Sequence, residues 1–277
     1  MDTQMMIDKF ARMGARLKVE QASRDWRGLA PALRLDIRND RKGEFFEMLV
    51  NEDLLDRVDV IDVRPRDQHL LLLADQHDLA AQVGTRSTRS KFLCGHDERH
   101  WFVAAIPEKA SASNVATAMD ALKPPAVQMA QARVGLRRQH QNLRKNKAFR
   151  RQGEWFFLPR PDLRVLPGEV LHHEPLRRGG GKAHWVEFLV RTGGQTVYVS
   201  HRHPNGLTAV EHADFVQRNP QEARRLRFTI MRRNAGVYVK GTVRHPDHAT
   251  IRLNEWHRVV MNRENESVAM RHVAFLD

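Results

Sequence analysis

The chain has 277 residues, 41% apolar and 29% charged, a globular balance that excludes disorder along its whole length. No run approaches the roughly 18 consecutive apolar residues of a membrane helix, and the single cysteine, Cys94, excludes an intramolecular disulfide and an all-cysteine metal cage. Forty-six Lys and Arg against 33 Asp and Glu leave a formal charge of +13, far from the balance of a neutral enzyme.

Arginine supplies most of that charge. Its planar fork meets phosphate bidentately and its flat face stacks on bases, so the expected partner is nucleic acid rather than a bilayer surface. The first ten residues carry Asp2 and Asp8 and lack the basic-then-apolar order of a secretion signal. With one cysteine, this gives an expectation of a reducing compartment, the cytoplasm.

In chain order, Met6, Phe10, Met13 and Leu17 recur at helical spacing, which predicts an amphipathic helix. Strand-length runs follow at Leu33 to Ile37, Phe45 to Val50, Val58 to Val63, His69 to Leu73, Lys91 to Cys94 and Trp101 to Ile106. Val58 to Val63 alternates imperfectly, whereas Leu70 to Leu73 is unbroken, as in a strand buried on both faces. Ser113 is placed to cap a helix over Asn114 to Leu122, which Pro124-Pro125 ends.

Residues Ala132 to Gln152 hold Arg133, Arg137, Arg138, Arg144, Lys145, Lys147, Arg150 and Arg151 and no acid. If helical, Arg137, Arg144 and Arg151 would form a stripe, and the segment would track several phosphates over about 30 Å. Its few apolar anchors and Gly135 equally suit a solvated linker. Trp155 to Leu158 reads as a buried strand closed by Pro159. Further strands are expected at His184 to Arg191, Gln195 to Ser200, Leu226 to Met231, Gly236 to Val243, Thr250 to Leu253, His257 to Met261 and Val268 to Phe275. One helix is expected between Thr208 and Arg225, and Val-Tyr-Val at 197 and at 237 suggests two similar strand-turn units.

Two histidine groups have metal-ligand chemistry. His245-Pro246-Asp247-His248 with His257 offers imidazoles across a turn, and Cys94, His96 and His100 offer a thiolate and two imidazoles around a loop. An ordinary hairpin turn and a salt-bridged tip through Asp97, Glu98 and Arg99 account for the same residues. His172-His173-Glu174 is a further candidate, and the dipeptides His77-Asp78 and His96-Asp97 hint at metal phosphohydrolases without the helix such a pair would need. Arg177, Arg178 and Lys182 flank three glycines, but the loop departs from a phosphate-loop pattern at Leu176 and Ala183. It is read as a basic loop able to graze a backbone. No Gly-x-Ser-x-Gly elbow is present, and Asp97, Glu98, Glu154 and Glu187 show no nuclease spacing.

These readings give an α+β chain of two β-rich, mostly antiparallel halves with few helices: residues 1–123, a basic linker or helix at 124–152, and residues 153–277. The first expectation is nucleic-acid binding through the central cations and Arg177, Arg178 and Lys182. The alternatives are a metal-dependent hydrolase or nuclease using zinc or manganese, and an assembly module for an acidic protein.

Overall fold

Runs of alternating and continuous apolar residues punctuated by polar turns fold as sheets, and the computed structural model describes them over residues 3–22, 33–51, 54, 57–77, 87–178 and 181–267. The result is an α+β architecture of two β-rich halves, with mainly antiparallel strands. The expected strand at Val268 to Phe275 and Asp78 lie outside the described residues. No helix among the described residues is long and apolar enough to cross a membrane.

In the first half, α1 (Thr3–Arg12) buries Met6 and Phe10, and Phe10 meets Phe46 edge to face at 5.2 Å. Strands β1 (Leu17–Gln21), β2 (Leu33–Asp40) and β3 (Gly43–Val50) form a sheet ordered β1-β3-β2, with β1 parallel to β3. Strands β4 (Val58–Arg64), β5 (His69–His77), β6 (Ser87–Asp97) and β7 (His100–Ile106) form an antiparallel meander. The unbroken leucines explain the stacking of layers. Leu70 and Leu72 point into a core shared with the first sheet and α1, while Leu71 points to the opposite core. Each fully buried leucine contributes roughly 1.5–3 kcal/mol of apolar transfer.

The imperfect alternation of β4 is a bulge between Val60 and Asp62. It leaves Ile61 exposed and turns the Asp62 carboxylate to accept the Val115 amide at 2.9 Å, at the start of α2 (Val115–Leu122). The cap is Asn114 rather than Ser113: its side chain accepts the Thr117 amide at 3.0 Å, and Thr117 Oγ1 accepts the Asn114 amide. Pro125 then occupies the first position of α3 (Pro125–Arg133), where its missing N–H is harmless.

The basic segment does not run on as one helix. Gly135, at φ +58, ends α3. Beyond it the chain is a loop with one short 3-10 turn, Arg138–His140. Amide side chains build that loop: Gln131 donates to the Gln141 carbonyl at 2.6 Å, and Asn146 accepts the Ala148 and Phe149 amides. Arg137, Arg144 and Arg151 therefore form no helical stripe.

The second half contains β8 (Arg150–Gln152), β9 (Trp155–Pro159), β10 (Leu171–Leu176), β11 (His184–Thr192), β12 (Gln195–Val199), β13 (Leu207–Thr208), β14 (Thr229–Arg233), β15 (Gly236–Arg244) and β16 (Ile251–Met261). Six of them form a sheet ordered β10-β11-β15-β16-β9-β8, and β13-β12-β14 form a small separate sheet. One face of the large sheet buries Phe157, Val186, Leu189, Val239 and Val243. The other packs Phe156 and Leu158 against Val127 of α3 and Phe149. The two Val-Tyr-Val runs fall in β12 and β15, hence in different sheets. Pro220, which has no N–H to continue a helix, splits the expected single helix into α4 (Ala209–Arg218) and α5 (Pro220–Arg225).

The halves meet along a polar seam. The Arg263 amide donates to the Leu122 carbonyl at 3.0 Å, Ser267 Oγ donates to Glu108 at 2.7 Å, and the tip of the β6–β7 hairpin enters the second half.

Candidate metal centre

The antiparallel register of β11 and β15 pairs Trp185 with Arg244. One step further, His184 lies across from His245 at the exit of β15, and the following turn brings His248 back beside them. All three are buried, with exposures of 1%, 6% and 6%. Their ring centroids lie 4.1 Å (His184 to His245), 4.8 Å (His245 to His248) and 5.5 Å (His184 to His248) apart. One ligand nitrogen from each lies within 4.8 Å of the others.

Burial has left these rings without hydrogen-bond partners. Among the described residues both nitrogens of His184, both of His248 and Nε2 of His245 lack hydrogen-bond partners of good geometry, while His245 Nδ1 accepts the Asp247 amide at 3.2 Å and the Lys182 backbone lies near the same ring. Each orphaned buried polar atom costs about 1–3 kcal/mol, so the five together oppose folding by an amount on the order of the net stability of a domain. A shared cation that accepts one lone pair from each ring would satisfy three of the five and remove that part of the cost.

Protonation is suited to ligation. Burial, followed by the neighbouring His245 and His248, pushes His184 down to about 3. Burial and then His245 push His248 down to about 4, and burial also lowers His245. The rings are neutral at physiological pH, the state in which imidazole binds a metal.

Gly153 keeps the space open. Its φ is +55, and a β-carbon there would come within 2.8 Å of His248 Nε2 and 3.4 Å of His184 Nε2. Tetrahedral ligation at about 2.0–2.1 Å sets ligand nitrogens about 3.3 Å apart. The widest separation must therefore shrink by about 1.5 Å, a ring adjustment for which this gap leaves room. Beside Gly153 and His248 opens a cavity of about 80 Å³, lined at this end by Asp97, His100, Arg151, Glu154 and Asp247. It has room for several waters.

The first half supplies the surrounding charge. Glu98, at the hairpin tip with φ 56, accepts the Ala249 amide at 2.5 Å and lies 3.6 Å from His248 Nδ1. A non-glycine residue held in the left-handed region is a strained feature of the kind found at functional sites. Arg144 binds both Asp97 and Glu98, and Arg151 donates to Asp97 at 3.2 Å. Burial lowers both guanidinium groups to about 10, with Arg151 adding to the effect on Arg144; both stay charged at neutral pH.

Of the histidines and cysteine singled out from sequence, His245 and His248 are brought together and the others lie elsewhere. His257 is buried in β16 with Nδ1 2.8 Å from the Glu255 carbonyl. Cys94 faces the first core, and burial raises its thiol. His96 packs edge to face on Trp101 at 4.9 Å. His100 stands at the cavity rim, Nδ1 2.6 Å from Glu44 and Nε2 4.0 Å from Asp247. His172 meets Phe188, and His173 stacks on Trp185.

Among the cations, Arg144 and Arg151 turn inward, and Arg178 binds Glu264 and Asn265. Lys182 binds Asp247 at 2.7 Å, and Arg150 is half-buried in β8. Arg133, Arg137, Arg138, Lys145, Lys147 and Arg177 are exposed. Sequence reasoning missed His184 as a ligand because its only signal is a strand pairing across some sixty residues; Gly153 was equally unmarked. No family model, curated protein or solved structure matches this chain.

Proposed function

We propose that the chain is a metal-dependent hydrolase whose ion is held by His184, His245 and His248. The observation that carries this reading is the set of five ring nitrogens without hydrogen-bond partners among the described residues, on three neutral, buried imidazoles beside a cavity whose near end is lined by Asp97, Glu154 and Asp247. An all-nitrogen set suits zinc better than manganese, which favours oxygen donors. Three protein ligands leave a position for water, whose ionisation such an ion lowers toward neutral pH. Around it the chain's own groups have distinct roles. Glu98, 3.6 Å from His248 Nδ1, stands where a small ring movement would let it accept from that nitrogen, the role second-layer carboxylates have for metal-bound imidazole. Asp247, anchored by Lys182, and the Asp97–Arg151 pair line the approach.

The test is elemental analysis of protein purified without chelator, together with hydrolysis of p-nitrophenyl acetate and bis(p-nitrophenyl) phosphate. About one zinc-class ion per chain, with ion and turnover both lost in His184→Ala and His248→Ala, is the expected result. Protein that stays metal-free and gains no thermal stability from added zinc refutes the reading.

A second reading, contact with a nucleic-acid backbone, is favoured by the five exposed cations Arg133, Arg137, Arg138, Lys145 and Lys147 in a stretch without acids. Replacing Arg137, Arg138 and Lys145 by Ala should flatten the salt dependence of DNA or RNA binding by about one unit of log–log slope per lost contact. An unchanged slope refutes that placement.

A further inference from the structure

The small sheet carries a strand with one open edge. Its order is β13-β12-β14, so β14 pairs with β12 on one side, and among the described residues no strand pairs with its other side. Neither face of β14 is covered: Thr229, Ile230, Met231 and Arg232 are all exposed, Ile230 at 66% and Met231 at 52%. A strand edge presents a row of unpaired N–H and C=O groups, and proteins ordinarily cover, shorten or charge such edges.

The charge around this edge is one-sided. From Gln195 to Arg233 the chain has seven arginines and three acids. Each acid is engaged locally: Glu222 with Arg202, Asp214 with Arg218, and Glu211 capping α4 at Thr208. Arg224, Arg225, Arg227 and Arg232 are exposed, in β14 or in the residues just before it, and Arg232 donates to the Gly193 carbonyl at 3.1 Å.

We propose that β14 is a docking strand for an acidic, extended segment of a partner protein, which adds to the small sheet as a further strand. The free backbone row selects a strand, Ile230 and Met231 supply apolar contact on alternate faces, and the arginines select carboxylates. A second copy of the chain fits poorly, because pairing β14 with itself gathers the same arginines from both copies along one joint. Nucleic acid would use the arginines and leave the backbone row unmatched.

The test is fluorescence anisotropy on the full chain at about 0.15 M salt, with a labelled alternating Glu-Val peptide of about eight residues, a typical strand length. Its probe control is the same peptide N-methylated at alternate residues, which keeps the charge and removes the donors of one edge. The proposal expects saturable binding that weakens about tenfold or more on N-methylation. It expects a similar loss in the Arg227→Glu/Arg232→Glu variant, with zinc content and thermal midpoint unchanged. Four results overturn it: no binding of the unmodified peptide, binding indifferent to N-methylation, displacement by single-stranded DNA at equal or lower concentration, or concentration-dependent dimerisation abolished by the double arginine variant.

Discussion

Replacing His184 by Leu should make the metal-free protein more stable. In the wild type both ring nitrogens of His184 are buried without partners; each orphan costs about 1–3 kcal/mol, and leucine removes both while keeping the apolar contacts of β11. The expected gain at pH 7.5 is on the order of 2–6 kcal/mol before any loss of ring stacking on His245, or about 4–10 °C in thermal midpoint for a chain of this size. The pH dependence gives a second, independent reading. His184 titrates at about 3 in the folded chain and near 6.5 when unfolded. Between those values the unfolded state binds the extra proton, so stability is intact above pH 6.5 and declines as pH falls toward 3. At about 1.4 kcal/mol per pH unit, the wild type loses on the order of 5 kcal/mol over that window through this one residue. His184→Leu should abolish that share and retain the smaller part due to His248. Chemical denaturation of chelator-treated protein from pH 7.5 to pH 4 measures both effects. A less stable variant at pH 7.5 with an unaltered acid slope would refute the claim that His184 is a burial cost awaiting a ligand.

Two further outcomes follow from the same geometry. Asp97→Ala removes the carboxylate shared by Arg144 and Arg151, each only about a fifth to a third exposed; Arg144 keeps Glu98, but leaving the partly buried Arg151 guanidinium without its anion should cost about 3 kcal/mol, read as a shift in the urea midpoint, and a shift below about 1 kcal/mol would show that solvent already screens the pair. Gly153→Ala should lose zinc binding in calorimetry because its methyl occupies the space before His248 and His184 Nε2, with about 1 kcal/mol of strain from the positive φ. Gly153→Asn, which tolerates that φ but also fills the gap, separates the two effects, and retained zinc affinity in both variants would remove Gly153 from the site.

Much of the fold was legible because its signals are local. Leu70 to Leu73 announced a strand covered on both faces, and the imperfect alternation of Val58 to Val63 proved to be a bulge that the sequence had not specified. The α+β class and the two β-rich halves followed from run lengths alone. The basic segment misled in its conformation: charge spacing suggested a stripe, whereas the left-handed Gly135 and the side chains of Gln131 and Asn146 set the path of the loop. The centre was half legible. His245 and His248 share a turn, and short spacing reveals such pairs. His184 joins them only through the β11–β15 register, and Glu98 only through the docking of one half on the other. Neither relation leaves a mark in the local order of residues.

The hairpin tip at Glu98 touches both the Ala249 backbone and the ring of His248, so one carboxylate answers to two equilibria, the seating of one half on the other and the aim of a ligand. By reciprocity, if seating the tip raises the affinity for an ion by some factor, the bound ion favours the seating by the same factor. An ion bound at the histidines would then act as a latch for the seam, and its affinity would serve as a gauge of how firmly the halves are joined. Strain applied far away, at Arg263 against Leu122 or Ser267 against Glu108, would register as a change in that affinity.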